Sequence, residues 1–159
     1  MRGDSRAVAL ALDALRHGWA IRVGEAFTLV PADTGFGADV RASRMLISGA
    51  RAATLNMANQ RDAAEPDAPV MIRAAEPFDL PLARAIADPA LDLAHPMKGP
   101  FAACAIADAQ AAVAAMELAR LAGILPAFLI DPAGVEVAQA VSPADLADWK
   151  DPRHLAIAS

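Results

Sequence analysis

The feature that most constrains the fold is the segment Ala107–Ile130, which combines a helix pattern, a glycine and a short apolar run. Asp108 can cap the helix, because its carboxylate can accept a hydrogen bond from a free amide of the first turn. Apolar residues recur at helical spacing on one face: Ala114, Leu118 and Leu121. Gly123 can adopt the left-handed conformation that ends many helices, and the apolar run after it predicts a buried strand. A helix followed directly by such a strand predicts helices packed on a sheet.

The first thirty residues predict a helix followed by a β-hairpin. Asp4 or Ser5 can cap the helix, and Gly18 can end it. The apolar stripe of this helix consists of Val8, Leu12 and Leu15. Trp19, Ile21 and Val23 then alternate with Ala20 and Arg22, which predicts a strand with one buried face. Gly24–Glu25 predicts a tight turn into a second strand, Phe27–Val30, so at least part of the sheet should be antiparallel.

The remaining predicted elements are short. Further strands are predicted at Met45–Ile47, Val70–Ile72 and Val135–Val141, with strand-like character at Leu155–Ile157. Helices are predicted at Thr54–Gln60, at Leu80–Ile86 and from Ser142 or Pro143 to Trp149. Loops are predicted at Pro31–Arg44, Arg61–Pro69 and Asp88–Pro100, which are rich in polar residues, glycine or proline. We therefore expect residues 1–159 to form a single domain of the α/β (α+β) class, with a mixed β-sheet flanked by helices.

Composition argues against several classes of function. The net charge is −5 and the arginines are scattered among acids, so the sequence does not predict the basic face of a nucleic-acid-binding protein. Cys104 is the single cysteine, so an internal disulfide is excluded and a zinc site cannot be built from it alone. No apolar run approaches the roughly 18 residues of a membrane span, and no secretory signal is recognised. We expect a cytoplasmic protein that binds neither nucleic acid nor membrane.

The motif L-A-R-L-A-G at Leu118–Gly123 resembles the last helix of 3,4-dihydroxy-2-butanone 4-phosphate synthase, an enzyme of riboflavin biosynthesis. The family pattern there is roughly G-H-T-E-A-A-V-D-L-A-R-L-A-G, followed by an apolar strand and a glutamate. In this alignment the metal-binding histidine falls on Ala111, and the threonine and glutamate after it fall on Ala112 and Val113. The glutamate after the strand falls on or beside Pro132. The resemblance implies a synthase-like fold whose catalytic residues have been replaced.

Two other segments of the family pattern keep few of their functional residues in this chain. The acidic loop D-D-x-x-R-E-N-E, which holds magnesium in the family, corresponds to Gly24, Glu25 and Ala26. Glu25 is therefore the one acid at a family site position, and an ordinary turn glutamate is the favoured interpretation. The phosphate-holding segment T-G-x-S-A-x-D-R would lie between Ile72 and Ile86, where Arg84 is the single candidate match.

A closer resemblance is to the amino-terminal domain of certain two-domain GTP cyclohydrolase II proteins. Three segments carry it: Leu46–Leu55, Ala58–Arg61 and Pro96–Phe101. In those proteins a degenerate synthase-like domain precedes the cyclohydrolase, whose zinc is bound by cysteines spaced C-x10-C-x-C. The resemblance implies that this chain is the amino-terminal half of a longer protein, with the cyclohydrolase domain as its partner and a homodimer as its assembly. Zinc would then belong to the cyclohydrolase domain, and no cofactor is expected in this chain.

The residue pattern suggests few binding residues and no catalytic or metal-binding constellation. Polar side chains follow the predicted strand at Met45–Ile47, and the carboxyl ends of strands are where α/β sheets bind ligands. A phosphorylated small molecule could be held by Arg51, Asn59, Arg61, Arg84 and Lys98. For the polar cluster Asn56, Asn59, Gln60 and Arg61, the alternative interpretation is a solvated helix face or a contact to a partner domain. His95 and Lys98 lie in a proline-rich loop that could hold an anion or simply pack, and His17 suits a helix carboxyl end.

The leading functional hypothesis combines these observations. We expect a catalytically inactive synthase-like domain of a GTP cyclohydrolase II protein, with a structural or oligomerisation role. The alternatives are a regulatory module that binds a phosphorylated ligand and an enzyme that keeps residual magnesium-dependent activity on a sugar phosphate.

Overall fold

The computed structural model describes residues 4–55, 67–91 and 101–151, which form an α+β fold around one sheet. The strands are β1 (Ala20–Val23), β2 (Phe27–Pro31), β3 (Arg41–Ile47), β4 (Val70–Asp79), β5 (Ala102–Cys104), β6 (Ala127–Ile130) and β7 (Val137–Val141). The helices are α1 (Ser5–Arg16), α2 (Gly49–Thr54), α3 (Leu80–Ala87), α4 (Ala109–Ala122) and α5 (Pro143–Trp149), with a 3-10 turn at Pro89–Leu91. This confirms the expected mixed sheet flanked by helices.

The sheet has seven strands in the order β5-β4-β3-β6-β2-β1-β7. The predicted hairpin is confirmed, since Ile21 of β1 lies opposite Leu29 of β2 in an antiparallel pair. All other neighbouring pairs are antiparallel except β1 and β7, which are parallel. Strand β7 therefore forms one edge of the sheet, beside the strand that begins the fold.

The helix ends follow the capping residues that the sequence predicts. Asp4 caps α1, and the Asp108 carboxylate accepts a hydrogen bond of 3.0 Å from the Ala111 amide at the start of α4. Gly123 ends α4 in the left-handed conformation, with a φ of 76°. At α5 a capping box forms, because Ser142 and Asp145 each bond the other's backbone amide. These four helix ends are set by hydrogen bonds between residues close in sequence.

Apolar layers cover both faces of the sheet. Helices α1, α4 and α5 pack on one face, where α4 buries small residues: Ala111, Ala112, Ala114, Ala115, Ala119 and Ala122. Because alanine accounts for 42 of 159 residues, these helices fit closely without large side chains. Helix α3 packs on the opposite face. In β6, Phe128 and Ile130 join the first layer while Ala127 and Leu129 join the second, so the whole strand is apolar and buried.

Several predicted boundaries are wrong because strand pairing extends the elements. The loop predicted at Pro31–Arg44 is shorter, since β3 already begins at Arg41 and pairs with the far end of β4. Strand β4 runs on to Asp79 instead of stopping at Ile72, and β5 carries no strand pattern in the sequence. The predicted alternation in β1 is confirmed at Ile21, Arg22 and Val23. It is wrong at Ala20, which is buried, and at Trp19, which is 45% exposed and precedes the strand.

The helix that follows β3 covers a different segment from the one predicted at Thr54–Gln60. Ser48 caps α2, which runs from Gly49 to Thr54, and residues 56–66 lie outside the described part of the chain. Most of the predicted loop at residues 88–100 and the predicted strand-like segment Leu155–Ile157 also lie outside it. Within the described ranges, none of the helices has both the length and the apolar character needed to cross a membrane.

Candidate functional site

A cleft of about 220 Å³ lies where β3 ends and β6 begins, at the sheet end where the sequence predicts a ligand site. Its walls include Ser48, Arg51, Thr54, Ala87, Leu125 and Pro126. The structure therefore brings the predicted residue Arg51 to the expected place, beside the hydroxyl groups of α2. The volume is below the roughly 300 Å³ at which pockets for drug-sized ligands begin, so a ligand here would be small.

The polar groups of this cleft already have partners within the protein. Arg51 is buried, and its Nε donates a hydrogen bond of 2.6 Å to the carbonyl oxygen of Ile86 in α3. The Ser48 hydroxyl accepts from the Arg51 amide at 3.1 Å, and the Thr54 hydroxyl donates to the Ala50 carbonyl at 3.1 Å. The Arg51 bond attaches α2 to α3, while the bonds of Ser48 and Thr54 are local to α2 and its N-cap.

Arg84, the other described candidate, lies elsewhere and also has a structural partner. Its guanidinium donates a hydrogen bond to the carbonyl oxygen of Gly35, in the loop between β2 and β3. Arg84 does not line the cleft that contains Arg51. The candidates Asn59, Arg61 and Lys98, together with Asn56, Gln60 and His95, lie outside the described residues.

The residues at the family's catalytic positions lie in two different environments. Ala111 and Ala112 have no exposed surface and belong to the layer formed with α1, whereas Val113 is 56% exposed. Pro132 is buried at the end of β6. Two of these three helix positions, 111 and 112, are thus part of the apolar packing in this chain.

Asp131, directly before Pro132, has a role that the sequence does not reveal. Its carboxylate accepts a hydrogen bond of 2.8 Å from the Thr28 amide of β2 and one of 2.9 Å from Arg44 of β3. Its backbone has a φ of 50°, a conformation that aspartate tolerates better than most residues. The acid beside the family glutamate position therefore joins strands, and the Asp-Pro pair predicts only a turn there.

The other singled-out residues occupy ordinary positions. Glu25 is exposed in the hairpin turn, and within residues 4–55, 67–91 and 101–151 no three His, Cys, Asp or Glu side chains cluster as metal ligands. His17 is the C-cap of α1, with its Nδ1 2.7 Å from the Asp13 carbonyl oxygen. Cys104 is half-buried, because β5 is an edge strand with one neighbour in the sheet. Its Sγ lies 3.6 Å from the Met71 carbonyl oxygen.

A second cavity, which the sequence does not predict, lies on the α3 face near strand β7. It is a groove of about 560 Å³, and its walls include Trp19, Phe36, Val40, Val135, Glu136 and Ala138. Trp19 and Phe36 are 45% and 62% exposed, which is unusual for large apolar side chains. The sequence gives little signal for the groove, because Trp19 fits the buried face of the predicted first strand and Phe36 is the one large aromatic residue of the predicted loop Pro31–Arg44.

Comparisons with known proteins do not assign the chain to a family. No protein-family model matches it, and a search of curated proteins returns no significant match. The resemblance to the riboflavin enzymes therefore depends on the sequence segments quoted above.

Proposed function

We propose that the chain is a non-catalytic, synthase-like domain that serves a GTP cyclohydrolase II protein as a structural or oligomerisation module. The observation that carries this proposal is the burial of Ala111 and Ala112. They stand where the family pattern has its metal-binding histidine and the threonine after it, and both are packed against the apolar layer of α1.

The arginines support the same interpretation. A phosphate site needs charged or polar donors that point toward the ligand. In this chain Arg51 donates to Ile86 and Arg84 donates to Gly35, so both guanidinium groups stabilise the backbone of neighbouring segments. Such contacts are typical of a scaffold whose former binding residues have acquired packing roles.

The expected absence of synthase activity is tested by incubating the purified chain with ribulose 5-phosphate and magnesium. We expect no formation of 3,4-dihydroxy-2-butanone 4-phosphate above the buffer control, since the chain presents no histidine at position 111. An authentic synthase assayed in parallel shows that the conditions support turnover. Magnesium-dependent turnover that survives repurification would contradict the proposal and favour a residual sugar-phosphate enzyme.

The link to GTP cyclohydrolase II is tested by reading the coding sequence beyond the codon for Ser159. A C-x10-C-x-C cluster in the same frame is the expected result, because the cyclohydrolase binds zinc through cysteines at that spacing. A stop codon directly after Ser159 would contradict the two-domain part of the proposal. It would leave the catalytic test above unaffected, so the two parts can fail separately.

The cleft beside Arg51 favours a second candidate function, a module that binds a small phosphorylated ligand. Its position at the end of β3 and its hydroxyl groups at Ser48 and Thr54 are the supporting observations. A ligand that binds only the folded state stabilises it by about 2.7 kcal/mol at 100 times its Kd. Thermal unfolding with ribulose 5-phosphate, the smallest of the phosphorylated ligands suggested by the resemblance, is the test. An unchanged melting temperature would eliminate this candidate.

A further inference from the structure

The groove beside Trp19 has the dimensions of a small-molecule site. Its volume of about 560 Å³ falls within the roughly 300–1,000 Å³ of pockets that bind small ligands. It is separate from the cleft at Arg51, since the two share no lining residue among those described. Its walls come from the start of β1, from the loop between β2 and β3, and from the segment that leads into β7.

The wall that carries Phe36 is held in place by contacts on three sides. The Thr34 hydroxyl donates a hydrogen bond of 2.5 Å to the Leu15 carbonyl of α1. The Gly35 amide donates to the Pro31 carbonyl at 2.9 Å, and the Gly35 carbonyl accepts from Arg84 of α3. A loop anchored to α1, β2 and α3 does not need to be ordered by the ligand, and preorganisation of this kind lowers the cost of binding.

The opposite wall contains an irregularity of the sheet. Between Ala20 and Ile21 the pairing of β1 with β7 shifts from Val137 to Gln139, so Ala138 is an extra residue on β7. Bulges of this kind bend edge strands and redirect side chains, and they hinder the addition of a further strand. The groove at this edge is therefore better suited to a compact ligand than to an extended peptide.

The chemistry of the walls specifies the ligand further. Trp19 and Phe36 offer aromatic surface, and His17 stacks on Trp19 with ring centroids 4.7 Å apart. Glu136 is the one ionisable side chain among the residues that line the groove in the described chain. Glu136 forms no hydrogen bond or ion pair with a described residue. Arg41, which follows the lining residue Val40 in sequence, donates to the carbonyl oxygens of Ala38 and Val40.

We propose that this groove binds a small aromatic molecule that carries one positive charge. The aromatic body of the ligand lies against Trp19 and Phe36, and its ammonium group faces the Glu136 carboxylate. Aromatic rings attract cations through their negative faces, so the same walls contribute to both parts of the recognition. This site goes beyond the structural role proposed above, and its ligand has the opposite charge from the phosphorylated ligands considered for the cleft.

A matched series of probes tests the proposal with the full chain. The probes 2-naphthylmethylammonium, 2-naphthylmethanol and 2-naphthoate share an aromatic body and differ in charge. Isothermal titration calorimetry should show the tightest binding for the cation and the weakest for the carboxylate. We expect the cation to bind about fivefold more tightly than the neutral alcohol, which is the scale of exposed ion pairs and cation–π contacts.

Two substitutions separate charge recognition from the shape of the groove. Glu136→Gln should remove most of this fivefold preference for the cation, because only the attraction by the aromatic walls remains, and it should leave the affinity for the alcohol unchanged. Glu76→Gln is the matched control, since Glu76 is an exposed acid of β4 that does not line the groove, and it should change nothing. Arg84→Met removes the anchor of the Phe36 wall and should weaken all three probes together.

Three outcomes would overturn the proposal. They are absence of binding by all three probes, equal affinity for the cation and the carboxylate, and a cation preference that is undiminished in Glu136→Gln. Circular dichroism of each variant verifies that it is folded. If Arg84→Met does not fold, the Glu136→Gln and Glu76→Gln pair still decides the result, because both residues are exposed.

Discussion

Two glycines with similar, positive φ angles have different steric surroundings. Gly18 and Gly123 both follow helices, with φ angles of 80° and 76°. A Cβ on Gly123 would meet nothing within 4 Å, whereas a Cβ on Gly18 would lie 2.2 Å from the Thr34 carbonyl oxygen. Gly18 thus permits the loop that carries Phe36 to approach the end of α1.

We predict that Gly123→Ala lowers the free energy of unfolding by about 1–2 kcal/mol, the conformational cost of a left-handed alanine. Gly18→Ala should cost more, because the loop at Thr34 must also move. Urea denaturation of both variants measures the difference. Equal costs would show that the contact between Gly18 and Thr34 is not maintained in solution.

Arg51 provides a second test of a structural role. Arg51→Met keeps the length of the side chain but leaves the buried Ile86 carbonyl without this donor. We expect a loss of about 1–3 kcal/mol in the free energy of unfolding, the range for an unsatisfied buried polar group. Arg73→Met, at an exposed arginine of β4, is the control and should stay within about 0.5 kcal/mol. A variant at position 51 as stable as the control would contradict the role in joining α2 to α3.

At the scale of elements, an ion-pair cluster links α4 to the end of α5. Glu117 forms a bidentate contact with Arg120 of α4, and its Oε1 lies 3.8 Å from Lys150 Nζ. The hydrogen bond with Arg120 lowers the pKa of Glu117 below its usual value, against the opposing effect of partial burial, and the charges of Arg120 and Lys150 lower it further. The same pair raises the pKa of Arg120.

This cluster predicts a pH-dependent contribution to stability. The pKa of Glu117 is lower in the folded state than in the unfolded chain, where it is about 4.3. The ion pairs therefore stabilise the fold fully at pH values well above the unfolded-state pKa, and this stabilisation is lost as the pH falls through the folded-state pKa. Glu117→Gln should therefore lower the melting temperature at pH 7. The difference from the native chain should disappear in acid below both pKa values. A difference that stayed constant from pH 7 to acid would contradict the ionic origin.

Elements set by local chemistry are the ones that the sequence predicts well. The caps at Asp108, Gly123 and Ser142 act within a few residues, so both ends of α4 and the start of α5 can be located from the sequence. The extension of β3 to Arg41 depends on Asp79, which is far along the chain, and no local pattern announces it. Burial of Ala20 likewise follows from a second apolar layer that belongs to α3.

The candidate sites were less predictable for the same physical reason. Arg84 resembles a phosphate-binding residue in sequence, but its partner is a carbonyl 49 positions away. The groove combines Trp19 with Phe36 and Glu136, which the fold brings together from three segments. Residue types alone cannot predict such groupings, because they arise from the strand order of the sheet.

On the scale of the whole molecule, one sheet lies between two apolar layers, and we expect the two layers to unfold together. Leu46 and Met71 face the α1 layer, while their neighbours Met45 and Ile72 face the α3 layer. Loss of either layer therefore exposes the strands that hold the other. Small domains of this kind usually unfold in a single cooperative step.

We predict that fluorescence and far-ultraviolet circular dichroism report the same urea midpoint. The tryptophans make this informative, because Trp19 lies at the groove and Trp149 lies at the end of α5. The variants Trp19→Phe and Trp149→Phe separate the two signals. Distinct midpoints for the two tryptophans would show that the layers unfold independently.

Asp131 has a consequence for any attempt to redesign this chain. Its carboxylate contacts both β2 and β3 at the end of β6, the strand between them, and so supports the register that their backbone pairing defines. Moving this residue by one position would leave the Thr28 amide and Arg44 without their shared acceptor, so insertions at the Asp131–Pro132 corner should be poorly tolerated. A metal site engineered into this end of the sheet would need a new acid at another position, because the Asp131 carboxylate is already used to hold β2 and β3.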